Sequence, residues 1–102
     1  MGETVRHHFS DGFMYDTFGI LTGTYGTRQF PNIPGSLARL KAHPNNGDVW
    51  MIGNAKNTGA FPLPYPLNAG DDTGWFPVTE HNLNSYWYSQ GSGSYLSYWI
   101  QG

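Results

Sequence analysis

Glycine and proline interrupt this chain so often that a helix of ordinary length has almost no room to form. The 102 residues include 14 Gly and seven Pro, and nearly every stretch of ten residues contains one of them. In a helix interior, Gly costs about 1 kcal/mol and Pro about 3 kcal/mol relative to Ala. No window shows a sustained apolar repeat of 3.6 residues. We therefore predict an all-β protein of short strands and turns.

Length and composition predict a single domain that binds neither membranes nor nucleic acids. A chain of 102 residues suffices for a single domain. It has no cysteine, so it forms no disulfide and no thiolate metal site. No segment approaches the ~20 continuous apolar residues of a membrane span, and the first residues lack the apolar region of a signal peptide. Its five Lys and Arg residues are scattered. We expect no membrane partner and no nucleic-acid partner, because phosphate binding needs a basic patch.

Aromatic side chains are abundant while charged ones are scarce. Aromatics make up 17% of the residues and charged residues 12%, about half the usual share. Tyr and Trp provide large, rigid contact areas at low entropic cost. Lys and Glu, which keep surfaces solvated and strand edges unpaired, are few. We therefore expect another protein, or further copies of this chain, to cover part of the surface.

Two segment pairs are predicted to form hairpins. Residues 36–42 alternate, with Leu37, Arg39 and Lys41 on one face, and the apolar run 49–52 follows a turn at residues 43–48 that contains Asn-Gly. Residues 85–89 and 95–100 flank a Gly/Ser-rich turn. Six to eight short strands at this spacing predict a small antiparallel β-sandwich or barrel for residues 20–102.

Two segments outside the regular strands are candidate contact regions. Residues 1–19 are irregular, with a possible strand at 3–9 and a turn at 10–12, and are interpreted as an N-terminal arm or peripheral hairpin. Residues 61–67 alternate proline with apolar side chains, which excludes a central strand and indicates an extended edge segment. The aromatic residues of these two segments are predicted to contact a partner or another subunit: Phe9, Phe13, Tyr15, Phe18, Phe61 and Tyr65.

The residues that could carry chemistry fit structural roles better. His7 and His8 are adjacent, so on a strand they point to opposite faces and cannot share a metal. Asp71 and Asp72 precede Thr-Gly, and turn chemistry explains them better than a calcium site or a pair of catalytic carboxylates. No serine lies in a G-x-S-x-G motif. We therefore predict no catalytic residue, no metal site and no cofactor.

The Trp and Tyr residues leave two functions open. They could form a platform on which a sugar stacks, or they could fill the core and cover a protein interface. Because Leu, Val and Ile are few, aromatic side chains must occupy much of the core, which favours the second interpretation.

The order of segments over about residues 20–102 resembles that of small virion proteins of tailed bacteriophages, which decorate or cement the capsid or form head-fibre bases. The residues that carry the resemblance are 30–35 (FPNIPG), 38–42 (ARLKA), 49–53 (VWMIG), 66–70 (PLNAG), 75–78 (WFPV), 82–84 (NLN) and 95–98 (YLSY). Residues 1–19 lie outside it.

The resemblance implies a small antiparallel β-sandwich or jelly-roll-like barrel with an N-terminal arm. It also implies a non-enzymatic protein on the outer capsid surface, assembled in the host cytoplasm as a trimer or dimer. Its partner would be the major capsid protein, whose neighbouring subunits it would bridge. Arg28, Arg39 and Lys41 are candidate contacts to acidic capsid residues, although each could be plain surface. The alternative is a carbohydrate- or receptor-binding module on a phage fibre or tail.

Overall fold

The computed structural model describes residues 7–8, 14–23, 26–54, 65–89 and 94–102. The described residues contain no α-helix, and two 3-10 helices, Thr79–His81 and Leu83–Ser85, are their only helical turns. All-β architecture is thereby confirmed. The ten strands are β1 (His7–His8), β2 (Met14–Tyr15), β3 (Thr17–Thr22), β4 (Thr27–Gln29), β5 (Leu37–Ala42), β6 (Trp50–Asn54), β7 (Tyr65–Leu67), β8 (Phe76–Pro77), β9 (Tyr86–Ser89) and β10 (Tyr95–Gln101).

Eight of these strands form two four-stranded antiparallel sheets that pack as a sandwich. The first sheet has the order β3-β10-β5-β8 and the second has the order β4-β9-β6-β7. β1 and β2 pair with each other and form a separate two-stranded sheet. The predicted β-sandwich is therefore confirmed.

The strand pairing shows that the first four strands of the sandwich pair with the last four as one long antiparallel ribbon, and that this ribbon folds over to form the two sheets. β3 pairs with β10, β4 with β9, β5 with β8 and β6 with β7. Thr17 lies opposite Ile100, Thr27 opposite Ser89, Leu37 opposite Pro77 and Trp50 opposite Leu67, so the numbers of two partners always add up to between 114 and 117. Rolling this ribbon pairs β10 with β5 and β9 with β6. This nested order is that of an eight-stranded jelly roll.

Both predicted hairpins are wrong, because the chain changes sheet at each of the two turns. β5 belongs to the first sheet and β6 to the second, and β9 and β10 are divided in the same way. The strands and the turn at residues 43–48 were placed correctly, but the ladder partners were not. Residues 90–93 lie outside the described part of the chain.

The hydrogen bonds of the first turn show why β5 and β6 separate. The Asn46 amide lies beside the backbone of Tyr95, which donates to Asn46 Oδ1 at 2.8 Å and accepts from Asn46 Nδ2 at 2.8 Å. The backbone N–H of His43 donates to the same Tyr95 carbonyl at 3.1 Å. The turn is therefore bonded to the start of β10, which leaves β6 free to enter the second sheet.

The core lies between the sheets and follows the alternation predicted from the sequence. On β5, Ala38, Leu40 and Ala42 are buried while Lys41 is exposed. Aromatic side chains fill much of the interior, as expected: the Tyr88 ring lies 4.9 Å from that of Phe30 and 5.3 Å from that of Trp50, centroid to centroid. Burial of such a side chain contributes roughly 1.5–3 kcal/mol. β6 is central in its sheet, but only its inward residues, Trp50 and Ile52, are buried.

The structure also locates the two candidate contact segments. β7, the described end of the proline-rich segment, is an edge strand, and residues 61–64 are outside the described residues. Of the predicted strand at 3–9, only His7–His8 is described, and the turn at 10–12 is not. β3 begins at Thr17, before the boundary between arm and domain predicted at residues 19–20.

Candidate functional site

The largest exposed apolar side chains of the first sheet lie on its outer face. We call this cluster the aromatic face: Tyr15, Phe18, Ile20, Tyr95 and Trp99. Phe18 is 59% exposed, Ile20 62% and Tyr95 45%, whereas Trp99 and Tyr15 are half-buried. The Tyr15 and Phe18 rings meet edge to face with centroids 5.5 Å apart. Trp99 lies directly opposite Phe18 on the neighbouring strand. The cluster is contiguous, which distinguishes it from scattered exposed apolar residues.

The inward side of β3 explains why Phe18 and Ile20 must face outward. Leu21 packs against the core. Gly19 lies opposite Tyr98, whose ring occupies the space that a Cβ on residue 19 would need. Successive side chains of a strand point to opposite faces, so with Gly19 and Leu21 turned inward, Phe18 and Ile20 project outward.

A cationic border lies beside the aromatic face, on β5. Arg39 is opposite Trp99, and Lys41 is opposite Ser97, which in turn faces Ile20. Arg39 is bonded within the molecule: its Nε donates to Asp72 Oδ1 at 2.9 Å and its Nη2 donates to Asp72 Oδ2 at 2.7 Å. The Arg39 hydrogen bond holds the pKa of Asp72 below its ordinary value of 3.8, against the opposing effect of burial.

The hydrogen bonds from Arg39 to Asp72 change the prediction that Arg39 contacts an acidic partner. The Arg39 charge is largely compensated by Asp72, so this residue is less suited to contact an acidic partner than the sequence indicated. Lys41 is exposed and projects from the same outer face. It is therefore the better of the two candidates for contact with a partner's carboxylate.

The structure brings together four of the nine predicted contact residues. Tyr15, Phe18, Arg39 and Lys41 lie on or beside the outer face of the first sheet. Arg28 is exposed on β4, and Tyr65 is 52% exposed on β7, so both belong to the second sheet. Phe9, Phe13 and Phe61 lie outside the residues that the structure describes.

The sequence analysis did not select Ile20, Tyr95 and Trp99 as contact residues. Ile20 was placed at the start of the domain, where no strand was assigned. The alternation Phe18, Ile20, Thr22 is a period-two pattern that would have indicated a strand with one apolar face. Strand alternation places Tyr95 and Trp99 on one face of β10, but the sequence could not show which face was outside.

The acidic turn residues have the structural role that was predicted for them. Asp71 Oδ2 accepts from the Asn68 N–H at 2.9 Å, and Asp72 Oδ1 accepts from the Gly74 N–H at 2.8 Å. Such bonds from Asp to nearby backbone are typical of turns. Within the described part of the chain, no group of three or more His, Cys, Asp or Glu side chains is placed to hold a metal ion.

A cleft of about 280 Å³ opens at the edge of the sandwich that lies away from β3 and β4. It lies between β5 and β8 of the first sheet and β6 and β7 of the second. Its walls include Leu40, Ile52, Tyr65 and Phe76, and no charged residue is among its described lining residues. Thr73, also in the wall, donates to the Gly74 carbonyl and accepts from the Leu40 N–H.

The other polar groups of this cleft are engaged as well. The Tyr86 hydroxyl accepts from the Thr79 N–H at 3.1 Å, and Asn54 also has an interaction partner. Carbohydrate recognition needs hydrogen-bonding groups that are free to meet sugar hydroxyls. The cleft therefore offers a sugar little specific recognition.

The tryptophans do not form an exposed stacking platform. Trp50 is fully buried, and Trp75, Trp87 and Trp99 are half-buried. Trp99 and Trp87 lie on different sheets. The aromatic residues are thus divided between the core and the surface.

Comparison with protein-family models, curated proteins and solved structures found no match to this chain. Among the described residues, no helix has the length and apolar character needed to cross a membrane. The aromatic face is therefore interpreted from its own geometry.

Proposed function

We propose that this chain is a non-enzymatic structural protein that binds another protein through the aromatic face. The observation that carries the proposal is the exposure of Phe18 and Ile20, each more than half accessible, beside Trp99 on one face of the first sheet. Contiguous apolar surface of this kind typically marks an interaction site. Aromatic residues at the centre of an interface provide much of its binding energy.

The energetics favour attachment in many copies. Complete burial of Phe18 and Ile20 contributes roughly 1.5–3 kcal/mol each, from which the cost of association is subtracted. One copy alone would bind weakly. An ordered array of copies on a repeating surface gains avidity without any further contact. This is the situation of a decoration protein on a capsid.

The more specific proposal is that the partner is the major capsid protein of a tailed bacteriophage, whose neighbouring subunits this protein would cement. It rests on the resemblance of residues 20–102 to such virion proteins. The jelly-roll strand order is compatible with it, because this architecture recurs in viral capsid proteins. The architecture also recurs in lectin domains, so it supports the proposal only by analogy.

The carbohydrate-binding alternative has less support from the described residues. A tryptophan platform would need exposed tryptophans, and a sugar-binding pocket would need free polar groups. The buried Trp50 and the internally bonded Thr73 and Tyr86 supply neither.

The test measures binding of the full chain to capsids of the virus whose genome encodes it. Purified protein is titrated onto capsids that lack it, and bound protein is quantified after sedimentation. We expect saturation at a fixed copy number per capsid subunit. The double variant Phe18→Ser/Ile20→Ser should bind at least about tenfold more weakly, because each 1.4 kcal/mol corresponds to a factor of ten.

The matched control is Arg28→Ser/Tyr65→Ser, which changes two exposed side chains on the second sheet. It should bind like the wild type, and circular dichroism should show that both variants are folded. Absence of saturable binding by the wild type, or equal binding by the two double variants, would refute the proposal. Glycan binding that Tyr65→Ala abolishes would favour the carbohydrate alternative.

A further inference from the structure

We propose that the outer edge of β3, beside which no described strand lies, pairs antiparallel with β3 of a second copy of this chain, which makes the protein a dimer with one continuous sheet. The inference deepens the proposed function, on which it rests for the use of the joined surface. It identifies a second copy as the partner at the sheet edge. The backbone of β3 would bind the second copy, while its side chains would stay on the outer face to bind the capsid.

The alternation of hydrogen bonds between β3 and β10 shows which backbone groups of β3 are available to a second copy. Gly23 N–H donates to the Ser94 carbonyl at 2.8 Å, and Thr22 lies opposite Tyr95 in the same register. In an antiparallel ladder, hydrogen-bonded and non-hydrogen-bonded pairs alternate. Thr22, Ile20 and Phe18 are therefore in non-hydrogen-bonded pairs with β10. Their N–H and C=O groups point away from the sheet, toward the open edge.

Among the described edge strands of the sandwich, β3 alone has none of the usual protections against pairing. Proteins protect edge strands by shortness, charge or proline. β4 has three residues and contains Arg28, β7 has three residues and contains Pro66, and β8 has two residues and contains Pro77. β3 has six residues, TFGILT, with neither a charged side chain nor a proline.

The β3 sequence suits a two-fold arrangement. Only residues whose backbone groups point outward can form the hydrogen-bonded pairs of the new ladder. The centred register places Ile20 opposite the partner's Ile20, and Phe18 opposite the partner's Thr22. These residues share the outer face of the sheet. Because the two-fold axis is perpendicular to the sheet, the aromatic faces of both copies would lie side by side on one surface.

Charge repulsion does not prevent the β3 edges of two copies from pairing. The nearest cations of the sheet's outer face, Arg39 and Lys41, lie on β5, which β10 separates from β3. At a strand spacing of ~5 Å they are about 10 Å from β3, further than the Debye length of about 8 Å at physiological salt. A single strand pair buries less than the ~1,200 Å² of a stable interface, so we expect a dissociation constant roughly in the micromolar range.

The experiment combines sedimentation equilibrium with amide hydrogen exchange on the full chain, from about 10 μM to about 1 mM. We expect a monomer–dimer equilibrium, together with protection of the Phe18, Ile20 and Thr22 amides that rises with concentration. Ile20→Pro removes one outward N–H that β10 does not use, and should weaken the dimer at least tenfold. Ile20→Val keeps that N–H and a β-branched side chain, and should dimerise like the wild type.

Three results would overturn the inference. The first is a wild-type monomer at about 1 mM. The second is protection of these amides that does not change with concentration, which would mean that the edge is occupied within the same chain. The third is equal dimerisation by the Pro and Val variants. Ile20→Lys, which leaves the backbone unchanged, serves as a second disruptive variant if Ile20→Pro does not fold.

The two proposals fail separately. A dimer that does not bind capsids would remove the proposed function and leave this inference standing. Capsid binding by a protein that stays monomeric would do the reverse. Phe18→Ser should weaken capsid binding while leaving the backbone pairing of β3 in place.

Discussion

Arg39 and Asp72 form a two-pronged ion pair that fastens the turn before β8 to the middle of β5. The two residues are 33 positions apart in sequence, and both side chains are only partly buried. Asp72 also accepts from the Gly74 N–H, and the neighbouring Thr73 accepts from the Leu40 N–H. This small network attaches residues 71–74 to the first sheet and partly neutralises the cationic border of the aromatic face.

The first prediction concerns this ion pair and pH. Because the folded state holds the pKa of Asp72 below 3.8, the unfolded state binds a proton more readily. The stabilisation is therefore fully present above the ordinary carboxyl pKa and is lost as the pH falls through the lowered value. Asp72→Asn should cost about 0.5–1 kcal/mol at neutral pH, because the pair is partly exposed. In acid, the free energy of unfolding of Asp72→Asn, measured with urea, should approach that of the wild type. Asp48→Asn, at an exposed turn position, is the control, and the same convergence in that variant would contradict the prediction.

The second prediction concerns the contact between Gly19 and Tyr98. A Cβ at residue 19 would overlap the Tyr98 ring, which packs against the core. Gly19→Ala should therefore reduce the unfolding free energy by about 1–3 kcal/mol, as overpacking does. Gly47→Ala is the matched control, since a Cβ there meets nothing within 4 Å, and its stability should be unchanged or slightly raised. Equal effects in chemical denaturation would show that Tyr98 moves aside without cost.

The third prediction concerns the turn at Thr79–Asn82. Glu80 and His81 have φ angles of 57° and 53°, and the Asn82 N–H donates to the Thr79 carbonyl at 3.4 Å. Such a turn requires positive φ at both central residues, which Asn and Gly adopt more easily. His81→Gly should raise the unfolding free energy by about 0.5–1 kcal/mol, through relief of the left-handed conformation. Asp48→Gly, at a position without positive φ, should be neutral or destabilising. A destabilised His81→Gly variant would count against the prediction.

The fourth prediction concerns truncation of the N-terminus. If residues 1–19 were only an arm, removal of residues 1–18 would leave the β domain folded and weaken assembly alone. The structure places Thr17 and Phe18 in β3, and the Asp16 N–H donates to the Ile100 carbonyl at 2.7 Å. Loss of these bonds should cost about 2–3 kcal/mol at roughly 1 kcal/mol each. Removal of residues 1–13 keeps all of them, and should give a higher midpoint of thermal unfolding than removal of 1–18. Equal midpoints would show that the first residues of β3 contribute nothing to stability.

Individual strands were predictable because each depends on nearby residues. The alternation of Ala38, Leu40 and Ala42 defined β5 and its inward face, and the prolines of residues 61–67 indicated an edge. Phe18 was selected as an aromatic residue of the N-terminal segment, and Lys41 as a candidate contact to acidic capsid residues. Arg28 and Tyr65 were selected as well, because a sequence does not show to which sheet an exposed side chain belongs.

The sequence alone determined that this chain would be all-β, with aromatic residues in its core and short strands between Gly- and Pro-containing turns, because these properties follow from local backbone preferences and side-chain alternation. Only the tertiary structure decided that β5 and β6 separate, that β9 and β10 separate, and that Phe18, Ile20 and Trp99 share one outer face. Adjacent strands have the same local pattern whether they pair in a hairpin or cross to the opposite sheet. Long-range contacts, such as those of Asn46 with Tyr95 and of β3 with β10, select between these outcomes.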